Sequence, residues 1–327
     1  MEVGTMDAMT LGVRNPSRYR LMGIVLSLFL LGGIVWLPAS LFAAEKTIGV
    51  IIPDISYYRD INNAFIAKLN REGYGARVEI ITQRPFPDPV SLSNAVRKLI
   101  ALDADVIITY GTPATLAAYG EKTKIPVVFS AVYDPFASKI RSRNITGVSS
   151  KISITSMLRY LKGMTSIATL GVVYSSNEDD SLYQFREIQK FSAQYGFVVE
   201  EINLKRPQDA KTLLSGKKCD AVFITGSSIA MMAFPAIIEF SREYRIPTAS
   251  MIPDKTSNAL ITLSSNPKEQ GERAAAMAIK VLEGVPPERI KVDASSDIEL
   301  VFNLKDARTM GLRMPMDLIT EATKLIQ

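Results

Sequence analysis

Two short glycine turns carry most of the chemistry open to this sequence. At Gly111-Thr112-Pro113, and again at Gly226-Ser227-Ser228, an apolar run ends, a glycine follows, and a helix begins. Backbone N–H groups at a helix start favour a carboxylate or another anion, and Thr112 and the two serines add hydroxyls. The alternative is a plain helix entry, with Thr112 or Ser227 as N-cap and Pro113 at the first helical position. Carboxylates stand at comparable points: Asp134 before a proline, Glu178 in the run Ser175–Asp180, and Asp254. Asp134 and Glu178 are suited to hold an ammonium group through charge-assisted hydrogen bonds; Asp134 is otherwise a turn aspartate. Asp254 qualifies by symmetry with Asp134. Asn177 either hydrogen-bonds a ligand or caps the helix after it. Tyr57, Tyr58, Tyr110 and Tyr133 offer walls for an apolar or aromatic group, or else pack within their own lobes. The set describes a pocket for a small zwitterion.

Much other chemistry is excluded. The chain contains no histidine, which removes Ser-His-Asp and Cys-His catalysis and His-ligated zinc. Its single cysteine, Cys219, allows no internal disulfide or cysteine metal cluster and reads as a small core residue. Neither glycine turn forms GxGxxG or a Walker motif, so no nucleotide cofactor is expected, nor any metal. The net charge of +5 over 327 residues is mild and forms no basic stripe, so no nucleic-acid partner is expected. Met231 and Met232 read as core, and Asn144-Ile-Thr146, an acceptor match for glycosylation, is assigned no role.

The elements that position these residues repeat. Asp105-Val-Ile-Ile-Thr109 is a short apolar strand, followed by the first glycine turn, a helix, and a second strand opened by Ile125-Pro126 and closed by Asp134-Pro135. Cys219–Asp254 repeats the unit: Asp105 matches Asp220, Gly111 matches Gly226, Ile125-Pro126 matches Ile246-Pro247, and Asp134 falls opposite Asp254. Strand and helix alternate throughout, starting at Lys46–Pro53 and restarting at Thr169–Tyr174, with Gly171 mirroring Gly49. That alternation predicts an α/β fold of two doubly wound parallel-sheet lobes joined by hinge crossovers, with ligands beyond the carboxyl ends of the strands. Residues 44–163 plus about 259–292 are expected in the first lobe, and 164–258 plus about 293–327 in the second. Asn144–Val148 reads as a crossover, and Asp317–Ile326 as a closing helix.

Ahead of these lobes lies an export segment. Arg14, Arg18 and Arg20 precede the apolar run Leu21–Leu37, and small residues follow to Ala44. This is the pattern of a secretory signal peptide over 1–43, cleaved after Ala43. The apolar run is long enough for an uncleaved anchor as the alternative. Either form places the lobes in the periplasm or otherwise outside the cytoplasm.

The chain from 46 to 327 resembles the substrate-binding proteins of ABC transporters, with the class I periplasmic-binding fold, in the branch that includes tryptophan- and tyrosine-binding members. The resemblance rests on Asp105–Ala114, Ile125–Phe129, Asp134-Pro135, Asn144–Val148, the Gly271…Ala276…Leu282-Glu-Gly284 segment, Phe302-Asn303, Ala307, Gly311-Leu312 and Pro315. Two features depart from the pattern: Asn258 stands where a glycine is usual before Ala259, and the loop Ser175–Asp180 is close to, but not identical with, the usual asparagine-rich form. The resemblance implies a monomeric binding protein without catalytic residues. The residues read for their chemistry give the expected ligand-binding set: Tyr57, Tyr110, Gly111, Thr112, Pro113, Tyr133, Asp134, Asn177, Glu178, Gly226, Ser227, Ser228 and Asp254. Such a protein closes on a small solute, an amino acid or similar zwitterion, and presents it to an ABC permease and its ATPase. The competing readings are a membrane-anchored sensor of the same fold and an enzyme using carboxylates such as Asp134 with Asp254.

Overall fold

A computed structural model describes residues 46–254 and 258–327. The export segment read over 1–43 lies outside the described residues. Two sheets organise the rest.

In the first sheet, β1 (Lys46–Ile51), β2 (Val78–Gln83), β3 (Val106–Tyr110), β4 (Val127–Val132) and β5 (Ile145–Ser149) run parallel in the order β5-β4-β3-β1-β2. Their helices are α1 (Ser56–Arg71), α2 (Pro89–Ala101) and α3 (Thr112–Gly120). The runs Val106–Tyr110 and Val127–Val132 are mostly apolar and buried from end to end because helices cover both faces. Asp88 caps α2 by accepting the N–H groups of Val90 and Ser91, with Pro89 at the first helical position.

The second lobe comprises α4 (Ile154–Met164), β6 (Thr169–Tyr174), α5 (Asp179–Tyr195), β7 (Val198–Asn203), α6 (Ala210–Leu214) and β8 (Ala221–Ile224). It continues through α7 (Ser228–Met232), α8 (Phe234–Tyr244), β9 (Thr248–Ser250) and β10 (Ile261–Ser265). After α9 (Pro267–Leu282) comes the short β11 (Asp293–Ala294), which pairs with β5 at the edge of the first sheet rather than joining the second lobe as expected for residues from 293 on; the chain ends with β12 (Ile298–Asn303), α10 (Leu304–Met310), α11 (Met316–Glu321) and β13 (Lys324–Ile326). The second sheet runs β13-β12-β10-β9-β8-β6-β7, parallel except where β12 meets β10. Each lobe is thus a doubly wound sheet.

Four other sequence expectations change. Asn144–Val148 is strand rather than crossover; Gly147 hides it, since its backbone passes so close to Phe129 that a Cβ would stand 2.2 Å from that residue's carbonyl oxygen. The closing helix stops at Glu321, and Lys324–Ile326 pairs with β12. Helix α4 packs in the second lobe, where the Tyr160 ring meets Phe302 edge-on and Arg159 pairs with Glu321. Residues 259–292 do not travel together: β10 lies in the second sheet, whereas α9 packs on α1. The close approach of α9 to α1 depends on Gly271, where a Cβ would meet the Ile61 carbonyl oxygen at 2.2 Å.

The chain therefore crosses between lobes near 150–153, at Asn266, and at Ser295–Asp297. Polar residues at the start of α9 fasten the three crossings together. The Glu269 carboxylate accepts from Ser296 and Asp297 backbone N–H groups and from the Ser295 and Ser296 hydroxyls, which pulls its pKa down to about 2. Gln270 donates to the Ser149 carbonyl and accepts from the Ser130 hydroxyl and the Ala131 N–H. Ala131 needs that support, because a bulge in β4 gives it φ 57°, unusual for a residue with a Cβ.

Candidate functional site

The carboxyl ends of both sheets meet between the lobes. There the structure encloses a small cavity lined by Tyr57, Ala131, Tyr133 and Ser150 on one side and by Asp180, Gln184, Gly226, Met251, Ile252 and Ser265 on the other. Its volume is about 20 Å³, room for roughly one water. The lobes are shut, and a solute of amino-acid size enters only when they part and these side chains move. A more open hollow of about 320 Å³ lies on the outer side of the same boundary, between Pro87, Pro89, Leu92, Pro113 and Leu116 and the loop Asn177–Asp179. Larger hollows, of about 370 and 490 Å³, lie away from the strand ends.

Of the sequence candidates, Tyr57, Tyr133 and Gly226 line the cavity itself. The Tyr57 hydroxyl donates to the Ser265 carbonyl at 3.0 Å and also bonds its hydroxyl, so the ring is pinned to the end of β10. Tyr133 donates to the Ile152 carbonyl at 2.8 Å and its ring leans on Tyr183 of the other lobe. Burial raises the pKa of both phenols, leaving them neutral donors.

Gly111 and Thr112 form the seam just beside it. Gly111 itself, at φ 84°, is the N-cap of α3, so Thr112 is the first helical residue rather than the cap. The glycine is required: a Cβ would stand 2.3 Å from the Tyr58 hydroxyl. The Thr112 hydroxyl is buried beside Asp180, whose charged form it favours, and has no well-aligned hydrogen-bond partner among the described residues. Pro113 faces the outer hollow. Tyr110 is turned into its own lobe, donating to Asn62 at 3.0 Å and stacking on Tyr58. It lines neither space.

The polar candidates are already engaged. Asp134 accepts the N–H groups of Phe136 and Ala137 and pairs with Lys151 at 2.7 Å, which holds its carboxyl below the usual range. It behaves as a turn aspartate. Ser227 caps α7 through the Ala230 N–H. Glu178, 3% exposed, accepts from Ser228 N–H at 2.7 Å and Ile229 N–H at 2.9 Å, so its oxygens close the helix start that Gly226-Ser227-Ser228 was expected to offer. Burial, with the nearby Asp180 charge, pushes its carboxyl up to about 8. Asn177 is exposed and accepts from Lys205 rather than capping α5. Asp254 takes the Ser56 hydroxyl across the lobe boundary at 3.1 Å.

Two of the cavity residues that the sequence reading left out of the site bear directly on binding. Asp180 is buried in the first turn of α5, and desolvation raises its carboxyl to about 6. Gln184, one turn on, accepts the Gly226 N–H at 2.8 Å and leaves its Nε2 buried without a partner among the described residues. The run of carboxylates at 178–180 was a signal for the first. Nothing local marked the second.

A family model, described as ABC transporter substrate binding protein, matches residues 50–326. The chain belongs to that family. This substrate-binding protein is also 26% identical over 261 residues to a tyrosine-binding protein of Clostridioides difficile strain R20291, covering 76% of each chain. Among solved structures, an ABC domain from Streptococcus pneumonia in complex with L-Trp matches at 22% identity and TM-score 0.80, over 86% of this chain and all of that one. The ligand-free, open structure of a substrate binding protein with adhesive properties from Clostridium difficile matches at 22% identity and TM-score 0.62, over 86% and 99%. These likenesses confirm the class I periplasmic-binding fold.

Substrate-binding proteins of ABC transporters take a small molecule outside the cytoplasmic membrane and deliver it to a permease with an ATPase; they are not enzymes, and neither is this chain. No helix among the described residues is long and apolar enough to cross a membrane.

Proposed function

We propose that this substrate-binding protein takes up an amino acid, or a zwitterion of similar size, in the cleft between its lobes for an ABC importer. The observation that carries the reading is the make-up of the interlobe cavity. Tyrosine, methionine and isoleucine walls surround one buried carboxylate and one unpaired amide donor, which are the groups a zwitterion with an apolar side chain calls for. The names of the relatives support it, since one binds tyrosine and another is complexed with L-Trp. The higher TM-score to the L-Trp complex than to the open, ligand-free structure agrees with the shut cleft.

Binding then works by hinge closure. The three crossings tied by Glu269 and Gln270 form the hinge, and contacts such as Ser56 with Asp254 form only when the lobes meet. The protein acts as an exported monomer, with 1–43 removed as a signal peptide and no nucleic-acid partner.

A thermal-shift panel of amino acids, short peptides, sugars and nucleosides tests this. A ligand at 100 times its dissociation constant adds about 2.7 kcal/mol to stability. The expected result is a raised midpoint with one group of amino acids. A shift confined to sugars or nucleosides would overturn the amino-acid reading.

A further inference from the structure

The interlobe cavity carries a charge that the fold does not neutralise. Asp180 and Glu178 lie two residues apart at the start of α5, both buried, yet they are treated differently. Two N–H groups of α7 compensate Glu178. Asp180 accepts one N–H, from its neighbour Ser181 at 3.0 Å, with the Thr112 hydroxyl alongside. Among the described residues, no lysine or arginine pairs with it. A buried carboxylate without a cation is costly, and this one forms part of a cavity wall.

Gln184 lies one helical turn further along the same face of α5 and lines the same cavity. The Gly226 N–H fixes its Oε1 at 2.8 Å, so Nε2 is turned away from that bond, fully buried and without a partner among the described residues. A buried unmade donor costs about as much as a lost hydrogen bond. One helix face thus presents a carboxylate without a counter-cation and an unpaired donor a turn apart, the complementary needs of a zwitterion's two ends.

We propose that Asp180 seats the ammonium group of the solute and that Gln184 Nε2 donates to its carboxylate. This rests on the amino-acid reading above. It moves the ammonium seat away from Asp134 and Glu178, whose oxygens the protein itself occupies. The groups facing Asp180 are Glu178 and Asp179 on its own segment, Thr112 of α3, Tyr58 of α1 and Tyr133 at the end of β4. None is basic, so burial dominates and its carboxyl is pushed up to about 6. An ammonium ligand needs the ionised form, and affinity therefore falls as the pH drops below about 6.

The test is calorimetric titration of the full chain with L-tyrosine and L-tryptophan, beside 3-(4-hydroxyphenyl)propionate, which lacks the ammonium group, and tyramine, which lacks the carboxylate. Asp180→Asn should weaken binding of whichever amino acid the wild type takes by about 100-fold. It should also remove the fall in affinity below pH 6, while its ligand-free thermal midpoint stays equal or rises. Gln184→Glu keeps the acceptor for Gly226 and turns the donor into an anion, so it should weaken the amino acid but spare tyramine. Equal affinity and the same pH profile in wild type and Asp180→Asn would overturn the assignment and leave the amino-acid reading standing. A wild type that binds no amino acid would overturn that reading and this inference with it. If Asp180→Asn fails to fold, undiminished amino-acid binding by Gln184→Glu would overturn the proposal.

Discussion

The two copies of the βαβ unit agree at the strands and part at the turns. Asp105 accepts the Thr47 N–H at 2.7 Å at the start of β1, and Asp220 accepts the Ala168 and Thr169 N–H groups at 2.8 Å at the start of β6. The aspartates, far from the cleft, do the same job in each lobe. At the carboxyl ends the likeness stops. Gly111 is left-handed, presses on Tyr58, and opens a helix with no side-chain cap. Gly226 is not left-handed; its N–H is taken by Gln184, and the helix after it is closed by Ser227 and Glu178 and interrupted at Ala233 before Pro235. The first copy contributes shape to the lobe boundary, whereas the turn of the second is held by polar side chains of α5. Repetition preserved what builds the sheet and released what faces the cleft.

That contrast is open to attack at several points. The largest effect should come from Gly111→Val, which forces a β-branched residue to φ 84° against the Tyr58 hydroxyl and should cost about 3–5 kcal/mol in urea unfolding. Gly226→Ala, at an ordinary φ and 3.0 Å from Gln184 Nε2, should cost about 1–2 kcal/mol. Equal costs would break the comparison.

The pH dependence comes next. Burial first, and then Asp180, raise Glu178 from an ordinary 4.5 to about 8. The folded protein therefore keeps a proton that the unfolded chain has released, and the stability this carries is lost as the pH rises from about 4.5 to 8. Glu178→Gln should flatten that slope in thermal midpoints measured across the window; an unchanged slope would contradict the account.

Asp105→Ala and Asp220→Ala should then cost about 1–2 kcal/mol each, and similar values would sharpen the equivalence of the strand starts. Asp105 is depressed by its bonds to Lys46 and Thr47, against the opposing effect of burial, so its share is full above the ordinary carboxylate range and is lost as pH falls through its lowered value. Smallest is the pair at the helix starts. Ser227→Ala should lose about 1 kcal/mol of capping, whereas Thr112→Val, which removes a buried hydroxyl that lies beside Asp180 without a well-aligned bond, should change stability by less.

The alternation of buried strands and amphipathic helices, together with the internal repeat, made the two-lobed α/β fold legible, because both depend on short-range periodicity. Lobe membership was harder to read. Helix α4 is an ordinary amphipathic segment and strand β10 a short alternating one, and which lobe they join depends on contacts such as Tyr160 with Phe302 that no local spacing encodes. At the site, residue type drew attention to Asp134 and Glu178, but the Lys151 partner of the first and the Ser228 partner of the second lie 17 and 50 residues away. Those partners decide which oxygens remain open. Gln184 and Gln270 read as ordinary helix residues for the same reason: each acts through backbone groups of a distant strand end.

The central claim is that two lobes close on a zwitterion, and the distance between them tests it most directly. Spin labels on the full chain at Val90, exposed at the start of α2, and at Lys205, exposed after β7, would report it by double electron–electron resonance. The account predicts that saturating L-tyrosine or L-tryptophan, whichever binds, shortens the mean distance and narrows its distribution. An unchanged distribution under conditions where calorimetry registers binding would contradict it.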